Sequence, residues 1–165
     1  IIIPDTIVLE HLNRKHLLWT SNLEWKDFQG NPENDDNFGA SIHSNIKWKT
    51  SRIYNYPAGT VISFMIPEMS YKKEFSKDLD PTMEALVDKH LLKHEQTHFD
   101  ISEHYARLAN QRLASKWFIS EAEAESILQQ VYEDYTNTQL MYDSLTKHGV
   151  DTVEQAKWTD EYMIK

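Results

Sequence analysis

The second half of this 165-residue chain contains the pentapeptide His94-Glu95-Gln96-Thr97-His98, an HExxH pattern. Two imidazoles four residues apart lie on the same face of a helix, so both can reach one Zn²⁺ ion. Glu95 lies on the adjoining face, close enough to activate a water at the metal as a general base. A random chain of this composition would contain the pattern with a probability of roughly 0.03. The pentapeptide therefore predicts a zinc site with His94 and His98 as ligands and Glu95 as the catalytic residue.

Both histidines fall on a stripe of mostly apolar residues that recurs every three or four positions. The stripe consists of Val87, Leu91, His94, His98, Ile101, Tyr105 and Leu108. This spacing predicts a long helix that begins at Asp80-Pro81 and ends near Trp117. Two histidines in such a stripe need partners, because an unpaired polar group in a core costs about 1–3 kcal/mol. A shared metal ion is one such partner, and other hydrogen bonds within the core are the alternative.

Two more helices are predicted after this one. The second begins at Ser120, where Glu123 completes a capping box. It ends at 147–149, where Gly149 suits the position after the last helical residue. Its apolar stripe consists of Ala124, Leu128, Val131, Tyr135, Thr138, Tyr142 and Leu145. A third, shorter helix follows Asp151 and carries Trp158.

Short strands and loops are predicted for the first half of the chain. The strand candidates are Leu23–Phe28, Ser41–Lys49, Arg52–Tyr56 and Thr60–Ile66, with a loop at Gln29–Gly39 and a turn at Pro57–Gly59. The pattern of Thr6–Leu18 fits a helix or a strand. A small antiparallel sheet followed by helices is typical of an α+β domain. The length indicates one domain, residues 1–165.

Composition excludes several classes of site. The chain has no Cys, which rules out disulfides, thiolate zinc ligands and a cysteine nucleophile. Its formal net charge of −9 repels phosphate backbones, so we expect no nucleic-acid partner. The longest apolar stretches are far shorter than the roughly 20 residues that span a bilayer, so we expect no transmembrane segment. Histidine and carboxylate chemistry remains.

Two candidates for a third metal ligand follow the motif on the same helix. His104 has the spacing of a third histidine ligand, ten residues after His94. That arrangement needs the chain to turn at Ile101, whereas the apolar stripe continues through this position. We therefore expect His104 and Glu103 to point away from the metal, and Glu103 to pair with Arg107 four residues later.

The other two candidates lie near the end of the second helix. His148 closes a helix whose apolar face is expected to dock on the first helix, and it is the predicted third ligand. A protonated histidine at the negative end of the helix dipole is the alternative explanation for His148. Asp143, on the last turn of the same helix, is the lesser candidate.

Three groups of residues carry a resemblance to a known family. They are Leu23-x-Trp25-x-Asp27-Phe28-x-Gly30; Leu91-Leu92-x-His94-Glu95-Gln96-x-His98-Phe99-Asp100-Ile101 with Glu103 and Ala106-Arg107; and Tyr142-Asp143, His148-Gly149, Gln155 and Trp158. The sequence resembles a family of bacterial proteins described as predicted secreted zinc-dependent proteases, a domain of unknown function grouped with the zincin-like metallopeptidases. The HEQxHFD core is the most specific part of this resemblance.

The resemblance implies a zincin-like fold, in which a helical part after the HExxH helix contributes the remaining ligand. It also implies a secreted or periplasmic location. The family pattern near the end reads Tyr-Asp-x-Glu-Thr-x-His-Gly. Here Ser144-Leu145-Thr146 occupies the middle of that pattern, so no Glu is available there as a ligand.

Together these inferences predict a zinc metallopeptidase that hydrolyses a peptide or protein substrate. Zinc is held by His94, His98 and His148, with a water in the open position. Glu95 takes a proton from this water and passes it to the leaving amine. An extended peptide could add as a strand along the edge of Thr60–Ile66.

One role and two alternative functions stay open at this level. The side chain that stabilises the oxyanion is predicted to be a tyrosine, with Tyr105, Tyr135 and Tyr142 as candidates. The first alternative function is a zinc-bound but catalytically idle binding module, in which the metal braces two helices. The second is a metal-free interaction domain.

Overall fold

Helices account for more than half of the residues that the structure describes. The structure is a computed structural model that describes residues 17–28, 39–42, 44–53, 56–65, 71–72, 80–116 and 120–163. The strands precede the helices along the chain. Within these described ranges, no helix combines the length and apolar character needed to cross a bilayer.

The first helix, α1 (Pro81–Ala114), begins as the sequence predicts. The side chain of Asp80 accepts a hydrogen bond from the backbone N–H of Thr82 at 2.8 Å, and Pro81 occupies the first turn. This cap satisfies one of the free N–H groups at the helix start. α1 ends at Ala114, whereas the sequence predicts an end near Trp117, which lies outside the described residues.

The two following helices, α2 (Glu121–Thr146) and α3 (Thr152–Tyr162), are also capped as predicted. Ser120 and Glu123 form the expected capping box, in which each side chain binds the backbone N–H of the other. The Asp151 side chain accepts from the backbone of α3 in the same way. These caps fix where α2 and α3 start.

The end of α2 differs from the prediction. The sequence predicts Gly149 at the position after the last helical residue, but the cap is Lys147, two residues earlier, and Lys147, His148 and Gly149 all have positive φ angles of 51°, 54° and 85°. Two consecutive non-glycine residues in this region are unusual and carry backbone strain. The His148 N–H donates to the Asp143 carbonyl at 2.9 Å, which helps to hold this turn.

Five strands lie in the described part of the first half. They are β1 (Leu17–Leu18), β2 (Ala40–Ser41), β3 (Ser44–Ile53), β4 (Tyr56–Met65) and β5 (Tyr71–Lys72). All pairings are antiparallel, with the order β1-β4-β3 in one sheet and β2-β5 in the other. β4 pairs with β3 along its whole length and with β1 only at Phe64 and Met65. One edge of the predicted strand Thr60–Ile66 is therefore occupied by β3, while among the described residues β1 covers only the end of the other edge; Ile66 itself lies outside the described residues.

Three local predictions in the first half are wrong. Arg52–Tyr56 is not one strand, because Ile53 ends β3 and Tyr56 begins β4. Leu23–Phe28 is not a strand but contains a 3₁₀ helix, Trp25–Asp27, because Glu24 and Asp27 satisfy each other's backbone N–H groups. Pro57–Gly59 is not a turn but lies within β4, where Pro57 pairs with Arg52 of β3. Proline is tolerated in a strand where its position needs no ladder N–H.

Two other predicted segments fall almost entirely outside the described residues. Of Thr6–Leu18, only the two residues of β1 are described, and of Gln29–Gly39 only Gly39 is described.

The main core lies where the three helices meet. Its fully buried side chains include Ile101 of α1, Leu128, Val131 and Tyr142 of α2, and Trp158 of α3 is also buried there. A smaller cluster on the other side of α1 contains Leu23 and Phe99. The apolar stripe of α2 thus docks on the stripe of α1, and this packing brings the end of α2 next to the HExxH residues.

Candidate metal centre

Three side chains from two helices converge on one point. His94 and His98 project from the same face of α1, and Asp143 approaches from the last turn of α2. His98 Nε2 lies 3.2 Å from His94 Nε2 and 3.0 Å from Asp143 Oδ1, and His94 Nε2 lies 3.3 Å from Asp143 Oδ1. This group of three could hold a metal ion.

The geometry of the three atoms fits a tetrahedral metal site. Zinc ligands at 2.0–2.2 Å in a tetrahedron are separated from one another by about 3.3–3.6 Å. The three observed separations of 3.0, 3.2 and 3.3 Å lie at or just below the lower end of this range. Two imidazole nitrogens and one carboxylate oxygen are also donors that zinc accepts. Three ligands leave a fourth position for a water or a substrate.

Burial and mutual contacts shift the protonation of these groups. Burial lowers the pKa of His94 to about 4, so its ring is neutral near pH 7, as a metal ligand must be. Burial opposes ionisation of Asp143, but hydrogen bonds from His94 and His98 outweigh it and hold the pKa of this carboxyl below its ordinary value. Burial acts to lower the pKa of His98, but the hydrogen bond with Asp143 and the nearby charge of Glu95 outweigh it, so the pKa is raised overall.

Glu95 lies beside the three ligands and is only 3% exposed. Burial raises the pKa of its carboxyl to about 7, although the positive field of His98 and a backbone hydrogen bond from Ile42 act in the opposite direction. A carboxyl that titrates near neutral pH can both accept and donate a proton at working pH. The structure therefore gives Glu95 the environment of an acid–base group.

Two residues near the end of α2, Tyr142 and Gly149, pack against the ring of His94. The ring stacks on Tyr142, with ring centroids 4.7 Å apart and planes inclined by 22°. Gly149 also lies against this ring: a Cβ added at Gly149 would be 3.1 Å from His94 Cγ. The backbone carbonyl of Gly149 is also bonded to His90 Nε2 at 2.9 Å. Gly149 therefore lets the α2–α3 turn pack directly against a candidate ligand.

A cavity of about 940 Å³ opens onto the metal group. Its lining includes His94, Glu95, His98 and Asp143. Its apolar lining comes from β2 and the residue after it, from α1 and from the turn after α2, and consists of Ala40, Ile42, Leu86, Val87, Leu91 and Val150. A cavity of this size, apolar and with a few polar groups at one place, is typical of a ligand-binding site.

The structure brings together most, but not all, of the residues named from the sequence. His148 also lines the cavity, but its Nδ1 lies 3.4 Å from Asp143 Oδ1 and its side chain is 56% exposed. Among the described residues, the group of three is completed by Asp143 rather than by His148. The prediction that the end of α2 lies beside the HExxH histidines is confirmed by these contacts.

The remaining ligand candidates point away, as predicted. Glu103 forms the expected ion pair with Arg107, with an N–O distance of 2.8 Å. His104 is exposed and packs edge-on against the rings of Tyr105 and Tyr162.

The three tyrosines proposed for the oxyanion are all engaged elsewhere. Tyr105 bonds Thr138 at 2.7 Å, Tyr135 donates to the Ser44 carbonyl at 2.7 Å, and Tyr142 donates to the His94 carbonyl at 3.3 Å. None of the three is among the residues that line the described cavity.

Sequence reasoning missed the role of Gln96, the third residue of the HEQTH pentapeptide. Its side chain is buried, accepts from the Leu23 N–H at 2.8 Å, and donates to the Thr20 carbonyl and to Asp100 Oδ1, both also at 2.8 Å. Trp19 Nε1 donates to the same Asp100 oxygen at 2.9 Å. The i,i+4 pair of Gln96 and Asp100 in the HEQxHFD core was the available signal. Through these hydrogen bonds Gln96 and Asp100 anchor residues 19–23 on the face of α1 opposite the cavity.

Comparison with known proteins places this chain in one family. No curated protein matches it, and neither does any solved structure. The family described as "Bacterial protein of unknown function (DUF922)" matches residues 22–149, a range that includes the HExxH helix and Asp143, His148 and Gly149. Because the match covers most of the chain, the protein belongs to this bacterial family of unknown function.

Proposed function

We propose that this protein is a zinc-dependent metallopeptidase with a zincin-like α+β fold, made of a single domain. The observation that carries this proposal is the convergence of His94 Nε2, His98 Nε2 and Asp143 Oδ1 beside the buried Glu95, all at the wall of one cavity. If Asp143 served only as a hydrogen-bond partner for the two buried histidines, neither the buried Glu95 beside them nor the cavity would be needed.

A zinc ion bound by these three residues would supply a Lewis acid that polarises a carbonyl group and acidifies water. Glu95 would then accept a proton from the attacking water and deliver it to the leaving nitrogen of the peptide bond. Its position next to His94 and its raised pKa support this role. His148 lines the cavity next to Asp143 and replaces the three tyrosines as our candidate for stabilising the oxyanion.

We infer from the apolar wall of the cavity that the substrate has apolar side chains next to the bond that is cleaved. Val87 and Leu91 lie one turn apart on α1, and Leu91 is followed by His94 within the next turn. An apolar side chain next to the scissile bond could therefore lie on α1 while the carbonyl group faces the ligands. In line with the resemblance, we also propose a secreted or periplasmic location.

The proposal is tested by measuring metal content and peptide hydrolysis on the same preparation. We expect one zinc per chain after dialysis against micromolar zinc, and cleavage of a mixed peptide library that stops on chelation and returns with zinc. Absence of any bound metal would refute the metal centre.

A zinc-bound but idle binding module remains the second candidate. The observation that favours it is the 3.4 Å distance between His148 Nδ1 and Asp143 Oδ1, because a fourth donor this close could close the coordination shell. Stoichiometric zinc without hydrolysis of any library peptide would favour this candidate over the peptidase.

A further inference from the structure

Gln139 contacts the candidate ligand His98 on the side away from the other two ligands. It lies on α2, one turn before Asp143, and its Oε1 is 2.6 Å from His98 Nδ1. Its Nε2 donates to the His98 backbone carbonyl at 2.9 Å and to Ser102 Oγ at 3.1 Å. One amide thus contacts both the ring and the backbone of the same histidine.

These contacts determine which way the Gln139 amide faces. A carbonyl oxygen can only accept, so the group next to the His98 carbonyl must be the NH₂ of Gln139. With the amide turned over, two acceptor oxygens would face each other at 2.9 Å. Oε1 is therefore the atom that faces the imidazole, and His98 Nδ1 must carry the proton that it donates to Gln139.

A proton on Nδ1 leaves a neutral His98 with a bare lone pair on Nε2. This lone pair points at Asp143 Oδ1, 3.0 Å away, and at His94 Nε2, 3.2 Å away. Two such acceptors repel each other unless a proton or a metal ion lies between them; without metal, a second proton on Nε2 can donate to Asp143, and a bound metal ion takes the place of that proton. The tautomer that Gln139 selects is the one that suits a metal ligand.

We infer that Gln139 is a positioning residue, which holds His98 as the Nδ1–H tautomer so that Nε2 is presented to the metal. This inference rests on the metal centre proposed above and adds a residue to it. Gln139 itself contributes no ligand atom to the group of three.

The glutamine is in turn held by the start of β3. Ser102 Oγ donates to Ser44 Oγ, and Gln139 Nε2 lies 3.4 Å from the same Ser44 oxygen. Tyr135, one turn before Gln139 on α2, donates to the Ser44 carbonyl at 2.7 Å. The orientation of His98 is therefore linked through Gln139 to the junction of α1, α2 and the sheet.

Three variants test the inference by zinc titration against a competing chelator. Gln139→Met keeps the length of the side chain but removes the acceptor, and we expect zinc affinity to fall by about 10–100-fold. Gln139→Glu keeps an oxygen beside Nδ1 but turns its second oxygen toward the His98 carbonyl, so we expect it to recover only part of that loss. Gln129→Met is the matched control, because Gln129 is exposed and bonds only Glu133 among the contacts described; its zinc affinity should equal that of the wild type.

The melting temperature of each metal-free variant separates positioning from folding. A merely structural glutamine would lower the melting temperature of Gln139→Met without a specific loss of zinc affinity. Equal zinc affinity in Gln139→Met and the wild type would overturn the inference and leave the metal centre standing. A wild type that binds no zinc would refute the metal centre itself.

A measurement on the wild type decides the matter even if Gln139→Met does not fold. In ¹⁵N-labelled, zinc-loaded protein, long-range ¹H–¹⁵N spectra of the imidazole rings should show a protonated Nδ1 and a metal-bound Nε2 for His98. Metal on Nδ1 of His98, or a proton on its Nε2, would contradict the role of Gln139.

Discussion

His98 Nε2 lies 3.0 Å from Asp143 Oδ1, although the two residues are separated by 45 positions in the sequence. The contact joins the middle of α1 to the last turn of α2. It exists because the apolar stripes of the two helices pack together over Ile101, Leu128 and Val131. The candidate metal centre is therefore a product of helix docking.

Replacement of Glu95 by Gln should separate metal binding from catalysis. The amide oxygen of Gln can still accept the hydrogen bond from Ile42, but Gln cannot take up a proton. We expect Glu95→Gln to bind zinc as the wild type does and to lose roughly 10²–10⁴-fold in the rate of peptide cleavage. Equal rates in Glu95→Gln and wild type would show that another group is the base.

A pair of alanine variants distinguishes the third ligand. Asp143→Ala removes an atom of the metal group and should lower zinc affinity by at least about 100-fold, since it leaves two ligands. His148→Ala removes a more exposed side chain outside that group and should lower affinity by less than about tenfold. Isothermal titration with zinc measures both. The reverse order of the two effects would make His148 the third ligand, as the sequence predicts.

Gly149→Ala should damage the site without removing any ligand. The backbone at Gly149 has φ +85°, and an added Cβ would meet His94 Cγ at 3.1 Å. The left-handed conformation alone costs an alanine about 1–2 kcal/mol. We expect a lower free energy of unfolding together with weaker zinc binding, because His94 must shift. Val150→Ala, at the exposed next residue, is the control and should change neither; unchanged zinc affinity in Gly149→Ala would contradict the close packing.

Gln96→Leu should lower stability and leave the metal centre intact. The change removes the partners of the Leu23 N–H and the Thr20 carbonyl, and a buried polar group without a partner costs about 1–3 kcal/mol. Chemical denaturation of the metal-free protein measures this loss. Since Gln96 faces away from the cavity, zinc affinity should stay within about threefold of the wild type. A loss of affinity comparable to that of Gln139→Met would show that the two glutamines do not have separate roles.

The helices could be predicted from the sequence because their signals are local. Asp80, Ser120 and Asp151 each bind a backbone N–H within three residues, and the apolar stripes repeat within each helix. The strand boundaries were less predictable because they depend on pairing between distant segments. Pro57 lies in a strand since β3 is there to pair with it, and Glu24 and Asp27 start a 3₁₀ turn where the pattern suggests a strand.

The candidate site shows the same division. His94, Glu95 and His98 lie within five consecutive residues, so the sequence indicates them directly. The choice between Asp143 and His148 depends on how far α2 slides along α1 and on the left-handed turn at 147–149. Neither quantity is encoded in a local pattern. The positioning role of Gln139 could not be predicted from the sequence, because its hydrogen-bond partners lie on α1 and β3.

The central claim is that His94, His98 and Asp143 bind one zinc ion, and anomalous X-ray diffraction at the zinc absorption edge tests it most directly. Crystals grown with zinc should show one strong anomalous peak within about 2.0–2.2 Å of His94 Nε2, His98 Nε2 and an Asp143 carboxylate oxygen. Absence of a peak at this position in zinc-saturated crystals, or a peak held by other residues while these three remain bonded only to one another, would contradict the account.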